Sequence, residues 1–264
     1  MFELFQNAFF ASFLLSIAIG IIGSLMLINR SHFIAASIAH GSYGGIGIGV
    51  YFGFSLLLCT TLFALFLALV LAFITYKYKD RSDTLIGVIW AVGMSVGIIF
   101  IDLAPGYNVD LMGFLFGDIL MISNEDLIFM LLVDILLIAS IVLLYHRFLA
   151  ISYDRDFAII QGLRVKTIYT FLIILMALTV VMSIRSVGLI LVIALFSIPP
   201  FVAEKFTTNL KQMMILSMFL AFGFCLGGLF LSYYLDLSTT PSIIVVAAVF
   251  FFASLFYKQK KGVL

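Results

Sequence analysis

With 264 residues, 64% of them hydrophobic and 10% charged, and a mean hydropathy of +1.28, the chain is too apolar for a water-soluble domain, where about 25% of residues carry charge. The formal net charge of +1 gives no signal for nucleic-acid binding, and the only cysteines, Cys59 and Cys225, lie in different apolar runs without metal-site or redox spacing. Composition leaves an integral membrane protein.

Lipid offers backbone groups no partners, so a segment crosses it as a helix of about 17 to 25 apolar residues. Nine such runs occur, near 8–29, 34–52, 54–76, 84–101, 126–148, 167–184, 186–204, 211–235 and 241–257. They predict an all-α polytopic membrane protein with a single transmembrane domain over 1–264 and no loop large enough for a catalytic domain. The first residues include Glu3 and no cation, unlike a signal peptide, so the first run is expected to be a retained span. With the N-terminus outside, nine crossings put Arg30, Lys77, Lys79, Arg81, Arg147, Arg155, Arg164, Lys166, Lys205, Lys211, Lys258, Lys260 and Lys261 in the cytoplasm, together with the C-terminus. Arg185 alone is left outside.

In the second run, His40 follows Ser37 by three residues and stands amid Gly41, Gly44, Gly45, Gly47 and Gly49. An ionisable group at membrane depth points to function. Neutral imidazole is a good ligand for Zn2+, Mn2+ or Fe2+, and small neighbours let an ion approach; a histidine hydrogen-bonded between helices is the competing reading. The glycines predict close helix packing, as do the pairs Gly93/Gly97 and Gly223/Gly227.

Between the fourth and fifth runs, the stretch Asp102 to Asp118 holds Asp110 and a six-residue apolar piece, 111–116, too short to cross. A short helix or re-entrant element is expected there. With Glu125, Asp126 and Asp236 it makes the outer face acidic, either a mouth that concentrates cations or a solvated polar loop. Asp134 lies in the fifth run, and an interhelical polar contact is expected ahead of a substrate role.

Residues 146–166 form the longest charged interruption, on the cation-rich side. Asp154 can cap a short helix, Arg155 to Gln161, and Gly162 can end it in the left-handed conformation. Phe157, Ala158 and Ile160 give this helix an apolar side, fit for a soluble partner or for lipid headgroups. Further on, Pro199-Pro200 is expected to bend or end the run 186–204.

Several separated motifs carry a family resemblance. They are Arg30 with Ser37-Ile-Ala-His40, the run Val109-Asp110-Leu111-Met112 through Leu115-Phe116-Gly117-Asp118, Asp156-Phe157-Ala158 to Gly162, Val187-Gly188 to Ile198-Pro199, and Pro241-Ser242. In this order the chain resembles the membrane permeases of bacterial ABC importers for zinc and manganese. The resemblance implies a multi-pass protein of the bacterial cytoplasmic (inner) membrane that is not itself an enzyme. It implies a second permease protomer, two copies of a cytoplasmic ATPase that binds the ATP, and an extracytoplasmic metal-binding protein. It also implies no permanent cofactor, with Zn2+, or Mn2+ or Fe2+, as transported substrate. Residue by residue, it makes His40 the candidate transit ligand and places Ser37, Asp110 and Asp118 on the substrate path. Asp154, Phe157, Ala158 and Gly162 fall in the ATPase-coupling segment, 150–166. The family usually carries an Asp four residues before the His; here that position is Ala36. The Leu-Phe-Gly117-Asp118 form resembles zinc-type members. A secondary transporter driven by an ion gradient is the alternative, although such proteins bring acids and bases into several spans, and here only His40 and Asp134 qualify.

Overall fold

The computed structural model describes residues 2–78, 81–105 and 117–256, and every regular element among them is helical. Helix α1 (Phe2–Ala18) passes through a π turn, Ile19–Gly23, into α2 (Ser24–Ile28). There follow α3 (His32–Gly41), α4 (Tyr43–Phe52), α5 (Leu56–Lys77), α6 (Ser82–Asp102) and a 3-10 turn at Ile119–Met121. The chain continues as α7 (Asn124–Tyr153), α8 (Arg155–Ile160), α9 (Val165–Glu204), α10 (Leu210–Leu235) and α11 (Thr239–Leu255). The expected element at 111–116 lies outside the described residues.

Among the described residues, seven helical stretches are long and apolar enough to cross a membrane: Phe5–Ile28, His32–Phe52, Leu56–Lys77, Ser82–Asp102, Asn124–Tyr153, Val165–Glu204 and Leu210–Leu235. The apolar α11 is shorter. Helix α5 shows how the sequence divides lipid from protein. Leu58, Leu62, Phe66, Leu69 and Phe73 recur at helical spacing and are each more than half exposed, whereas Ala64, Leu67, Ala68, Leu71 and Ala72 are buried. The first stripe suits hydrocarbon, the second a close neighbour.

The runs expected at 167–184 and 186–204 form one element of 40 residues. At 1.5 Å per residue that is about 60 Å, twice the ~30 Å hydrocarbon layer. Gly188 interrupts it with φ 73° and ψ 170°, a conformation essentially restricted to glycine. The break is therefore at Gly188 and not at Pro199-Pro200, through which the helix runs on to Glu204. The prolines remove two backbone donors only near the helix end, and Pro200 packs against Gly23, where an added β-carbon would lie 2.8 Å from its Cγ.

The chain forms two compact units, each from separate segments. The first comprises Met1–Arg30, Met112–Tyr145 and Met182–Leu264; the second comprises Ser31–Leu111 and His146–Val181. In the first, α10 packs on α11 and on α1 with its π turn. In the second, α6 packs on α3 and α4, and α4 on α5.

Glycine sets the α6 contacts. A β-carbon at Gly93 would lie 2.7 Å from the Gly41 Cα, and one at Gly47 would lie 2.8 Å from the Gly97 Cα. The packing expected of these glycines is present, backbone against backbone. The expectation for Gly223 and Gly227 is corrected: a β-carbon at Gly223 meets nothing within 4 Å, one at Gly227 reaches only Val246, and the crowded glycine of α10 is Gly228, against Ile243. Spacing alone does not say which face of α10 meets α11.

Candidate functional site

The chemistry-bearing residues fall into three groups. In the second unit, His40 sits in the last turn of α3, half-buried. Its ring stacks on Trp90 of α6 with centroids 4.1 Å apart and planes 11° from parallel. Nδ1 is buried and has no hydrogen-bond partner among the described residues. The ring is thus held by an aromatic face, and an interhelical hydrogen bond through Nδ1 is not made. Ser37 is fully buried and donates its hydroxyl to the Ile86 carbonyl at 3.1 Å, so it fastens α3 to α6. Ala36, one turn before His40, is also buried.

The second group lies at one end of the first unit. Asp118 accepts from the Leu120 backbone N–H at 3.0 Å, capping the 3-10 turn, and from the Thr239 hydroxyl at 2.9 Å. It lines a cavity of about 710 Å3 with Ser232, Tyr233, Asp236, Thr239 and Thr240. Beside it, Gly117 with φ 58° presses on the break in α9: a β-carbon there would sit 2.8 Å from the Gly188 Cα. Asp110 lies outside the described residues.

At the same end, Ser123 and Asp126 close the start of α7 reciprocally. The Asp126 N–H donates to the Ser123 hydroxyl at 3.2 Å and the Ser123 N–H donates back to the Asp126 carboxylate at 3.4 Å, a capping box, and the Ser123 hydroxyl donates to the same carboxylate oxygen at 2.7 Å. Arg185 of α9 donates through Nε to the other carboxylate oxygen at 2.9 Å, with a second nitrogen at 2.6 Å. The one cation left outside by the charge map is therefore paired, and Asp118, Glu125 and Asp236 are the other acids of that end among the described residues.

The third group is α8. Asp154 accepts from the Phe157 N–H at 2.9 Å, the cap expected from sequence. At the other end Gly162 takes φ 78°, its N–H donates to Ile159 at 2.9 Å and that of Leu163 donates to Ala158 at 3.0 Å, the paired bonds of a Schellman stop. The helix is seated on the second unit. Ala158 is fully buried, and the Arg155 guanidinium lies 4.5 Å from the centre of the Tyr169 ring. The Tyr169 hydroxyl meets Thr75 of α5 at 3.1 Å. The exposed apolar side consists of Phe157, Ile159 and Ile160, the last 82% exposed. Ala158 therefore holds the helix down, and Ile159, which the sequence does not single out, takes its place outside.

Asp134 is buried, and both its carboxylate oxygens lack hydrogen-bond partners among the described residues. The interhelical contact expected for it is not made there. No group of three or more His, Cys, Asp or Glu residues able to hold a metal occurs among the described residues. Sequence reasoning missed Trp90. Its signal was position: it lies four residues after Ile86 and three before Gly93, on the α6 face that those residues press against α3.

Comparison with known proteins gives this arrangement a context. Residues 1–258 match the model of the ABC 3 transport family. A membrane protein of Synechocystis, described only as uncharacterised, is 45% identical over 98% of this chain and 92% of its own length. The manganese transport system membrane protein MntC of Listeria monocytogenes is 29% identical, with 100% of this chain and 94% of its own covered. The solved structure of PsaBC from Streptococcus pneumoniae in complex with Fab contains a similar chain. It has a TM-score of 0.86 and 27% identity, covering 98% of this chain and 93% of that one.

Proposed function

The chain belongs to the ABC 3 transport family, and from that membership we propose that it is the permease of an ATP-driven importer of divalent metal ions, with zinc as the cation. The observation that carries this reading is the family match, which runs over residues 1–258 and so favours one permease domain. ATP is hydrolysed by two copies of a separate cytoplasmic subunit, an extracytoplasmic protein delivers the ion, and a second permease protomer completes the path. Nine crossings are the topology of this reading. This count takes α9 as two spans on either side of the Gly188 break and α11 as the last, and the acids of the first unit gather at the end opposite Lys205 and Lys211.

His40 is the transit ligand in this mechanism. Its half-open ring accepts the cation, and an incomplete ligand set releases it again. A lone imidazole without a neighbouring carboxylate suits zinc, whereas Mn2+ prefers oxygen ligands. Manganese is the second reading, favoured by the name of the Listeria relative. Uptake of labelled zinc and manganese into vesicles holding the complete transporter separates them. Wild type is expected to take up zinc in preference. His40→Ala is expected to lower uptake at least tenfold, about 1.4 kcal/mol or more, with the complex still assembled. Ala36→Asp, which adds an oxygen ligand one turn away, is expected to move preference toward manganese; a wild-type preference for manganese would refute the zinc assignment.

Helix α8 is the seat of the ATPase. Reversing the cap charge with Asp154→Arg and removing the exposed ring with Phe157→Ala is expected to reduce ATPase co-purification at least tenfold, the scale of a lost interface hot spot of about 2 kcal/mol. Retention of the ATPase at the wild-type level would place the seat elsewhere.

A further inference from the structure

We propose that Trp90 is a positioning residue for the cation ligand, holding the His40 imidazole and favouring its metal-bound form; this rests on the assignment of His40 to the ion path. The geometry begins with the α3 and α6 backbones. Ser37 is tied to the Ile86 carbonyl at 3.1 Å, and Gly93 meets Gly41 so closely that a β-carbon would lie 2.7 Å from the Gly41 Cα. These two contacts bracket the pair between them: His40 lies between Ser37 and Gly41, and Trp90 lies between Ile86 and Gly93. With both helices fixed on either side, the indole is delivered onto the imidazole at 4.1 Å and 11°. The indole face is what restrains the ring, since Nδ1 has no hydrogen-bond partner among the described residues.

A neutral imidazole gains mainly dispersion from such a stack. Once a dication is bound, the ring is drained of electron density, and the negative face of the indole attracts it more strongly, in the manner of a cation over an aromatic ring. The stack thus strengthens on loading. It matters more here because position 36 offers a methyl group in place of a carboxylate, and no acid joins His40 in a three-residue ligand group among the described residues. Trp90 contacts the ligand and not the ion, so it sets the ring's orientation and affinity without contributing a donor atom.

Trp90 is also the chain's single tryptophan, so the indole emission of the isolated permease comes from this ring alone. The test uses the full chain in lipid nanodiscs, titrated with zinc chloride alone, and reads bound labelled zinc by equilibrium dialysis and indole emission in parallel. Trp90→Leu, which keeps an apolar side chain but no π face, is expected to raise the dissociation constant about five- to tenfold, within the range of cation–π contacts. Trp90→Phe, which keeps a face, is expected to remain within about threefold of wild type by the same measure. Wild-type emission should change along the zinc-binding curve, and His40→Ala should abolish both signals. If His40→Ala loses zinc while Trp90→Leu binds as wild type does, the role of Trp90 is overturned and the ion path stands. Equal weakening by Leu and Phe would also overturn it, because bulk and not the aromatic face would then be acting. Should Trp90→Leu not fold, wild-type emission that ignores His40-dependent zinc binding overturns the role of Trp90 just as well. Zinc binding unaffected by His40→Ala would overturn the ion-path assignment itself.

Discussion

Gly97→Ala is expected to destabilise the second unit by about 3 kcal/mol, the upper part of the range for overpacking, and to abolish uptake in vesicles. The added methyl would point at the Tyr43 carbonyl and lie 2.8 Å from the Gly44 backbone nitrogen. A side chain could turn aside; these are backbone atoms of α4, and moving them moves the helix. Because α6 also carries Trp90 against His40, the displacement reaches the candidate ligand. Gly87→Ala is the control on the same helix. A β-carbon there meets nothing within 4 Å, and alanine in a helix interior is favoured over glycine by about 0.5 to 1 kcal/mol. Thermal unfolding of the two purified variants in detergent should therefore shift in opposite directions. Equal midpoints would show that α4 and α6 are not in backbone contact.

The other large effect belongs to Arg185. Arg185→Met removes the partner of a carboxylate whose side chain is only 11% exposed. Breaking a fully buried pair costs about 3 to 5 kcal/mol; Arg185 itself is 27% exposed, which lowers the expected loss to about 2 kcal/mol by that measure. Asp126 also closes the start of α7 through Ser123, so the charge left behind cannot turn away without opening the cap. The expected result is a lower unfolding midpoint that raised salt does not reproduce in wild type, since a part-buried pair is poorly screened. A midpoint that salt lowers just as far would show an ordinary exposed pair.

What the sequence made legible was local or periodic. Asp154 and Gly162 declare the two ends of α8 within eight residues of each other, because capping depends on residue type and short-range backbone bonds. The stripe of α5 and the glycines of α3 and α4 follow from helical spacing alone. Contacts between elements distant in the chain were hidden. Nothing near Arg185 announces Asp126, and nothing near His40 announces Trp90, since each pair depends on how two helices are rotated toward one another. Gly223 and Gly227 had the spacing of a packed face but not the facing. The α9 break at Gly188 falls within a few residues of the boundary expected between the runs 167–184 and 186–204, whereas the second interruption expected at Pro199-Pro200 does not appear, because a proline pair near a helix end has few bonds left to disturb. The candidate site was visible as single residues, His40, Asp118 and Asp154, and invisible as a geometry.

The Schellman stop and the aspartate cap on α8 have a mechanical meaning. A helix of about two turns, tied off by backbone bonds at one end and a carboxylate at the other, has little compliance. Between them, Ala158 is buried and the Arg155 guanidinium lies on the Tyr169 ring. Were a partner to push on Ile160, the contacts in place to pass that push on are Arg155 against Tyr169, in the first turns of α9, and the Tyr169 hydroxyl against Thr75, at the end of α5.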